Sequence, residues 1–364
     1  MTARPSGAAL VRPADSPAAP AGRAHRGPRG VAASNRRRAG WLAVSVLVLV
    51  VVSAFSLLVG SKPVAPSVVV DALVAPADSP EHFVVRSLRV PRTLLGVLVS
   101  AALGVSGALI QALTRNPLAD PGILGVNAGA SFAMVVAVAA FGLTSLNQYI
   151  WFSFLGAILA TVAVYVIGSS GRSNGSPIRL ALAGIALGSV LTGIATGITL
   201  LDETTFNRMR FWGAGTLADR DPAMVLGISP FIAVGLLVAV ITARSLNAVQ
   251  LGDELAVTLG ARVARTRVGV IVAVTLLCGA ATAVAGPIAF VGLMIPHVAR
   301  WLVGPDQRWI LAFTVVLSPV LLLSSDIIGR VVMSPGELPV GIVTAFIGAP
   351  VLIVLVRRHR ASGL

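Results

Sequence analysis

Lysine and cysteine occur once each in these 364 residues, as Lys62 and Cys278, and tyrosine occurs twice. One cysteine, set in an apolar run, closes no intrachain disulfide and builds no thiolate metal cluster. Charge is scarce: 12% of residues are Asp, Glu, Lys or Arg, where a soluble domain carries about 25%. Carboxylates are nearly missing from the long apolar runs, which argues against the buried acids of proton- or sodium-coupled carriers. No Gly-x-x-x-x-Gly-Lys-Ser/Thr loop is present, since Lys62 stands in GSKPV, so the chain has no phosphate loop for ATP hydrolysis. No His-Glu-x-x-His motif or dense His/Cys/Asp/Glu cluster occurs either. His297, alone in MIPHVAR, reads as a packed or loop histidine, and neither a metal nor a cofactor is expected. An enzyme reading has little to stand on. If the chain pumps anything, the energy must come from another chain.

What is present is apolar: 56% of residues are hydrophobic and the mean hydropathy is +0.90. That composition over this length predicts an all-α polytopic membrane protein, because in lipid only helices and closed barrels satisfy every backbone group. The segments are not the alternating stretches of a barrel. Ten candidate helices fall near 40–60, 90–112, 123–142, 149–168, 179–200, 222–243, 267–285, 287–303, 309–331 and 339–356. The formal net charge of +14 could suggest nucleic acid, but eight arginines sit within residues 1–38, among Ala, Pro, Gly and Ser. That segment is expected to be a disordered N-terminal extension, leaving 39–364 as the membrane domain. The run after Arg36–Arg38 is long enough to span a bilayer and lacks a well-placed cleavage site, so it reads as a retained first helix.

Placing the N-terminus in the cytoplasm puts Arg115, Arg172, Arg179, Arg244, Arg262, Arg265, Arg267, Arg308 and the Arg357/Arg358/Arg360 tail inside, as the arginine bias demands. Most acids then lie outside, and an even helix number returns the C-terminus to the cytoplasm. The polar corner LTRNPLADPGILG (113–125) becomes the cytoplasmic turn after the second segment. Pro117 and Pro121 forbid a continuous helix there, Asn116 and Asp120 suit Asx turns, and apolar Leu118 suggests a loop folded against protein.

Three further features stand out. Gly184/Gly188 and Gly193/Gly197 have small-x-x-x-small spacing, which suits internal packing or a pathway or dimer-facing surface. In LGDELAVTLGARVARTR (251–267), Asp253 can cap a short helix over 254–259 that Gly260 ends, with a second short amphipathic piece after it. Such an element is an ordinary connector or a grip for a soluble partner. RTLLGVLVSA (92–101) and RTRVGVIVAV (265–274) share five of ten residues, a weak sign of inverted repeats. On the outer side, Asp326 stands four residues before Arg330 and can pair with it. Pro91 can start a helix between Arg89 and Arg92. Three arginines gathered at a mouth, Arg89, Arg92 and Arg330, also make a dock for carboxylates.

The blocks RVPRTLLGVLVSAALGVSGALIQALTRNPLADPGILGVNAGA, GDELAVTLG, GPIAFVGLMIPHVARWLVG, SSDIIGRVV and ELPVGIVTAFIGAPVLIVLV, in this order, resemble the permease subunits of iron-siderophore and cobalamin ABC importers. The likeness runs from about residue 40 to the end; the long N-terminal extension and Leu352, in place of an aromatic, depart from the pattern. It implies a ten-helix inverted-repeat permease in the bacterial cytoplasmic membrane. Its partners would be a second copy or a sister permease, two cytoplasmic ATPase subunits and an extracytoplasmic substrate-binding protein, and its cargo a ferric siderophore. It further implies that Asn116 and Leu118, with a second layer at Pro177 and Ile178, form a cytoplasmic gate. Asp253, Glu254, Ala256, Leu259 and Gly260 would couple to the ATPase, and Arg89, Arg92 and Arg330 would grip acidic residues of the binding protein. Haem and cobalamin remain open as cargo. An ion-coupled carrier is the alternative from another class, which a neighbouring ATPase gene would exclude, and a structural scaffold would not need gate-like turns.

Overall fold

The computed structural model describes residues 31, 34–60, 64–143, 145–170 and 177–361, which contain helices and no strand. Most of the expected N-terminal extension lies outside the described residues. Helix α1 (Asn35–Leu58) takes in Arg36, Arg37 and Arg38, and Ser34 caps it by accepting from the Arg37 amide at 3.3 Å.

The second apolar run departs most from expectation. Instead of starting at Pro91, one helical path runs from Pro80 to Thr114: α3 (Pro80–Phe83), a π-helical turn over Val84–Arg89 and α4 (Val90–Thr114). Pro91 has no N–H to donate, and its ring crowds the carbonyl four residues back. The wider π turn, in which the Val90 amide reaches the Val85 carbonyl, lets the helix pass this point without breaking. Before it, the short α2 (Pro66–Val74) was not legible as an element.

After α4 come α5 (Val126–Phe141), α6 (Leu146–Ser169), α7 (Pro177–Leu201), α8 (Glu203–Gly213), α9 (Pro222–Val249), α10 (Asp253–Thr258), α11 (Val263–Ala285), α12 (Val291–Val303), α13 (Gln307–Val332) and α14 (Val340–Ala361). Among the described residues 7 helices are long and apolar enough to cross a membrane, and the shorter apolar helices 126–141, 291–303 and 340–354 fill the remaining expected positions. The second amphipathic piece expected after Gly260 is absent as a separate element: those residues form the first turns of α11.

Helix α4 is the shaft of the bundle. It is buried along nearly its whole length and packs against α9, α11, α12 and α13. Its small residues allow this. A Cβ at Gly107 would overlap the Gly292 backbone of α12, and one at Gly104 would overlap Ser318 of α13. Gly129 of α5 and Gly156 of α6 meet in the same manner. The two similar decapeptides lie on α4 and α11, which pack together and run in opposite directions: Thr93 sits beside Ser56 at one end, while Arg267 holds Asp253 at the other.

Of the four α7 glycines, Gly184 packs so closely on the Ile123 carbonyl that a Cβ would overlap it, and a Cβ at Gly188 would just touch Ala128, so this pair faces the protein's own Pro121–Leu124 turn and α5 side. Gly193 and Gly197 are exposed, and a Cβ added at either would meet nothing within 4 Å among the described residues. Gly107→Ala is therefore expected to destabilise the protein by about 1–3 kcal/mol, as overpacking does, whereas Gly193→Ala should stay within about 0.5 kcal/mol. Thermal unfolding of the two variants in detergent checks this; equal midpoints would mean that the α4–α12 crossing tolerates a side chain.

Candidate functional site

The expected site residues fall at two opposite ends of the bundle. At one end α1 stops, leaving its last carbonyls without helical partners. Two guanidinium groups take them. Arg89 Nη1 donates to the carbonyls of Leu57 (2.7 Å) and Leu58 (2.8 Å), and Arg330 Nη1 donates to those of Ser56 (2.9 Å) and Val59 (3.0 Å). Cations at a helix C-terminus also oppose its dipole favourably. Asp326 balances their charge. It pairs with Arg330 four residues on, as the spacing predicted, and accepts from Arg92 Nη2 at 2.7 Å. Arg92 Nη1 also reaches Glu337 at 2.7 Å.

The Asp326 and Arg330 side chains are 1% and 2% exposed, and Arg92 is 13% exposed. The three arginines expected at a mouth are thus brought together, but in this conformation Arg89 and Arg330 point their donors at α1. Ser56 and Thr93 complete the cluster with a 2.9 Å hydroxyl contact.

Beside this cluster opens a cavity of about 1160 Å³. Its far wall comes from α8 and the 214–221 loop, which the sequence reading passed over. This wall is pinned by the C-terminal carbonyls of α11: Trp212 Nε1 of α8 donates to Ala283 (3.3 Å), and from the loop Arg220 Nε donates to Val284 (2.7 Å) and the Thr216 amide to Ala285 (2.8 Å). Burial lowers the pKa of the Arg220 guanidinium from its ordinary value, with Tyr149 and Asp219 acting in the opposite direction. The signals that could have found this wall were the amphipathic NRMRFW stretch and the arginine between two aspartates in ADRDP.

At the opposite end the 113–125 corner is built as its residues suggested. Arg115 ends α4 in the left-handed region (φ 53°), Asn116 Oδ1 accepts from the Leu118 amide at 2.9 Å, and Asp120 Oδ1 accepts from the Gly122 amide at 2.8 Å. Leu118 is not folded under: it is 41% exposed. Helix α7 begins at Pro177 at this end and leaves Ile178 72% exposed. The side chain of Pro177 lies outside the described residues.

Asp253 does not cap α10, as expected, but is its first residue, with Gly252 at the cap position. Its carboxylate is drawn elsewhere, taking Arg115 on one oxygen and Arg267 on the other at 2.5 Å. Arg115 Nε also donates to the Val249 carbonyl at 3.0 Å. One carboxylate therefore ties the corner, α10 and α11 together. Gly260 stands at φ 80°, and the amides of Gly260 and Ala261 return to the carbonyls of Val257 and Ala256, closing α10 in a Schellman motif. Ala256 is buried against the bundle, whereas Glu254, Leu255, Val257 and Leu259 face away from it. Among the described residues no group of three His, Cys, Asp or Glu could hold a metal ion.

Comparison with known proteins places this architecture. The sequence profile described as the FecCD transport family matches residues 48–358. The chain is 50% identical over 319 residues to the ferric enterobactin transport system permease protein FepD of Escherichia coli (strain K12), covering 87% of this chain and 95% of that protein. It is 38% identical to the probable siderophore transport system permease protein YfiZ of Bacillus subtilis (strain 168), over 76% of this chain and 84% of the other. A solved metal-chelate type ABC transporter, in an inward-facing conformation, superposes with a TM-score of 0.78 at 28% identity, covering 88% of this chain and 99% of that one.

Removing the charge of Asp326 would leave three arginines gathered at the end of α1. Asp326→Asn is expected to lower stability by about 3–5 kcal/mol, the cost of breaking a buried pair from one side. Adding Arg330→Gln should recover part of that loss. Thermal unfolding of both variants tests this, and an unchanged midpoint for Asp326→Asn would overturn the anchoring role.

Proposed function

The chain belongs to the FecCD transport family, and from that membership we propose that it is the permease subunit of a binding-protein-dependent ABC importer that brings ferric siderophores across the cytoplasmic membrane. One observation carries the reading: the near full-length likeness to a ferric enterobactin permease, in a chain whose long helices are almost free of acids. Energy then comes from two ATPase subunits on partner chains, and a second permease, identical or a sister, completes the assembly.

Orientation follows from charge. Arginines outnumber acids at the Asp253 end and acids gather toward the Asp326 end, which supports a cytoplasmic Asp253 end with both termini on that side. The exposed apolar face of α10, with Leu255 and Leu259 one turn apart, is then the grip for an ATPase subunit, and Gly260 sets its angle. Asn116, Leu118, Pro177 and Ile178 gate the pathway from below. Gly193 and Gly197 face the pathway or the second permease. At the outer end Arg92 is the arginine best placed to meet a carboxylate of the binding protein, which would take the place of Glu337. Arg89 and Arg330 hold α1 and shape the same mouth.

In a strain lacking the gene, uptake of labelled ferric enterobactin should be lost and restored by the wild-type chain, while uptake of haem and cobalamin continues; ferric enterobactin uptake that persists in the deletion strain rejects the reading. Gly260→Val forces a β-branched residue into the left-handed region, at about 1–2 kcal/mol or more. Membrane insertion should survive and ATPase association should fall; transport at the wild-type rate would remove the coupling role. Arg92→Gln should weaken binding-protein affinity by a few-fold, the loss of one ion pair at the rim of the mouth, and the difference should shrink as salt rises. Equal affinities at low salt would leave Arg92 without a docking role.

A further inference from the structure

Away from the Asp326 cluster, α9 and α13 both pack on α4 and leave a groove of about 720 Å³ between them. Its walls are apolar: Val105 of α4 lines the floor, Leu236 and Val240 of α9 one side, and Leu311 and Val315 of α13 the other. Both flanking helices are long and apolar enough to cross a membrane, so the groove opens toward acyl chains. Toward the Asp253 end it is closed by Asn247. The Asn247 Nδ2 donates to Asp306 Oδ1 at 3.0 Å and its Oδ1 accepts from the Gln307 amide at 2.8 Å, which ties the end of α9 to the start of α13.

Two guanidinium groups, Arg244 and Arg308, line the same groove beside this tie. Neither is accounted for by its helix. Arg244 precedes Val249, the last residue of α9, by more than one turn, and it takes part in no ion pair among the described residues. Arg308 lies in the first turn of α13, where the helix dipole opposes a cation. Asp306 already caps that turn, accepting from the Arg308 amide at 3.1 Å. The Arg308 guanidinium approaches Asp306 only through Nε at 3.5 Å, with Arg308 56% exposed, and a pair that wet contributes little. Two arginines against one carboxylate leave a single net positive charge at the end of an apolar groove. One arginine at such a depth would be an interfacial anchor; two that border one groove make a seat for an amphiphile with an anionic head.

We infer that this groove binds a monoanionic phospholipid, with its phosphodiester held by Arg244 and Arg308 and one acyl chain laid between α9 and α13. Guanidinium groups match phosphate oxygens with two parallel donors each. From Leu236 to Arg244 the wall rises about 12 Å along α9, enough to seat the part of a chain nearest the headgroup. A zwitterionic lipid would fill the same groove, but its ammonium would meet the same two arginines and cancel the gain. A lipid with two phosphates would bring more negative charge than the site leaves unbalanced. The site stands on contacts within this chain. Only its place in the cytoplasmic leaflet, where anionic headgroups meet arginines, rests on the orientation proposed above.

Native mass spectrometry of the full chain in detergent, titrated with phosphatidylglycerol and with phosphatidylcholine of the same acyl chains, tests the site. One charge near the membrane surface changes anionic-lipid binding by about fivefold. The wild type should therefore prefer phosphatidylglycerol by about that factor, and Arg244→Gln/Arg308→Gln should bring the ratio to about one. Arg244→Lys/Arg308→Lys should keep part of the preference. Ala312→Leu, which fills the groove and leaves both arginines in place, should weaken the binding of both lipids. Equal binding of the two lipids by the wild type, a preference that survives the double Gln variant, or phosphatidylglycerol binding unchanged in Ala312→Leu overturns the site. Tighter binding of cardiolipin at equal phosphate concentration overturns the monoanionic occupant. Thiol labelling of Arg262→Cys from each side of sealed membrane vesicles, in a chain whose own Cys278 is buried, places this end of the bundle independently. Labelling from the outer side alone would overturn the cytoplasmic orientation and leave the lipid site intact in the other leaflet.

Discussion

A helix that ends where water is scarce must find donors for its last carbonyls inside the protein, and the end of the bundle that holds the cavity is organised by that requirement. Two helix ends meet it with donors from the protein rather than solvent. The carbonyls of α1 are taken by Arg89 and Arg330, and those of α11 by Trp212, Arg220 and the Thr216 amide. Each arginine used in this manner brings a charge with it, and Asp326 is there to balance the first set. Among the described residues Arg220 takes part in no ion pair, which makes its wall of the cavity chemically unlike the Asp326 wall.

The two ends of the bundle differ in how firmly their charges are held. Asp326 and Arg330 are buried, so separating them would expose an uncompensated charge to a low-dielectric interior. Asp253 and Arg115 are 45% and 41% exposed, and an ion pair that wet contributes at most about 1 kcal/mol. The first arrangement fixes a shape. The second joins the 113–125 corner to α10 and α11 through partly solvated ion pairs. Burial holds the charges at the Asp326 end firmly, and exposure leaves those at the Asp253 end loosely held.

Close helix approach supplies the remaining constraint. Gly107 on Gly292, Gly129 on Gly156 and Gly184 on the Ile123 carbonyl bring backbones together where side chains would hold them apart. The third contact seats the start of α7 on the polar corner, so the two expected gate layers share one support. A Cβ added at Gly193 or Gly197, which have the same sequence spacing as Gly184 and Gly188, would meet nothing within 4 Å among the described residues. Spacing alone could not separate an internal seam from an open face, because both demand small residues.

The sequence by itself determined the membrane class, the places of the apolar helices, the Asx turns at Asn116 and Asp120, the left-handed Gly260 and the Asp326–Arg330 pair. Each follows from composition, from a run long enough to span lipid, or from contacts within a few residues, where local geometry leaves little freedom. Tertiary structure decided what depends on distant partners. It carried the helix through Pro91 on a π turn, drew Asp253 from the cap of α10 to Arg115 and Arg267, and turned Arg89 and Arg330 onto α1. It also brought Arg208, Arg220 and Tyr149 to one wall from three separate stretches of chain. Such placements are set by which helix ends meet across the bundle, and no periodicity or spacing along one segment encodes that meeting.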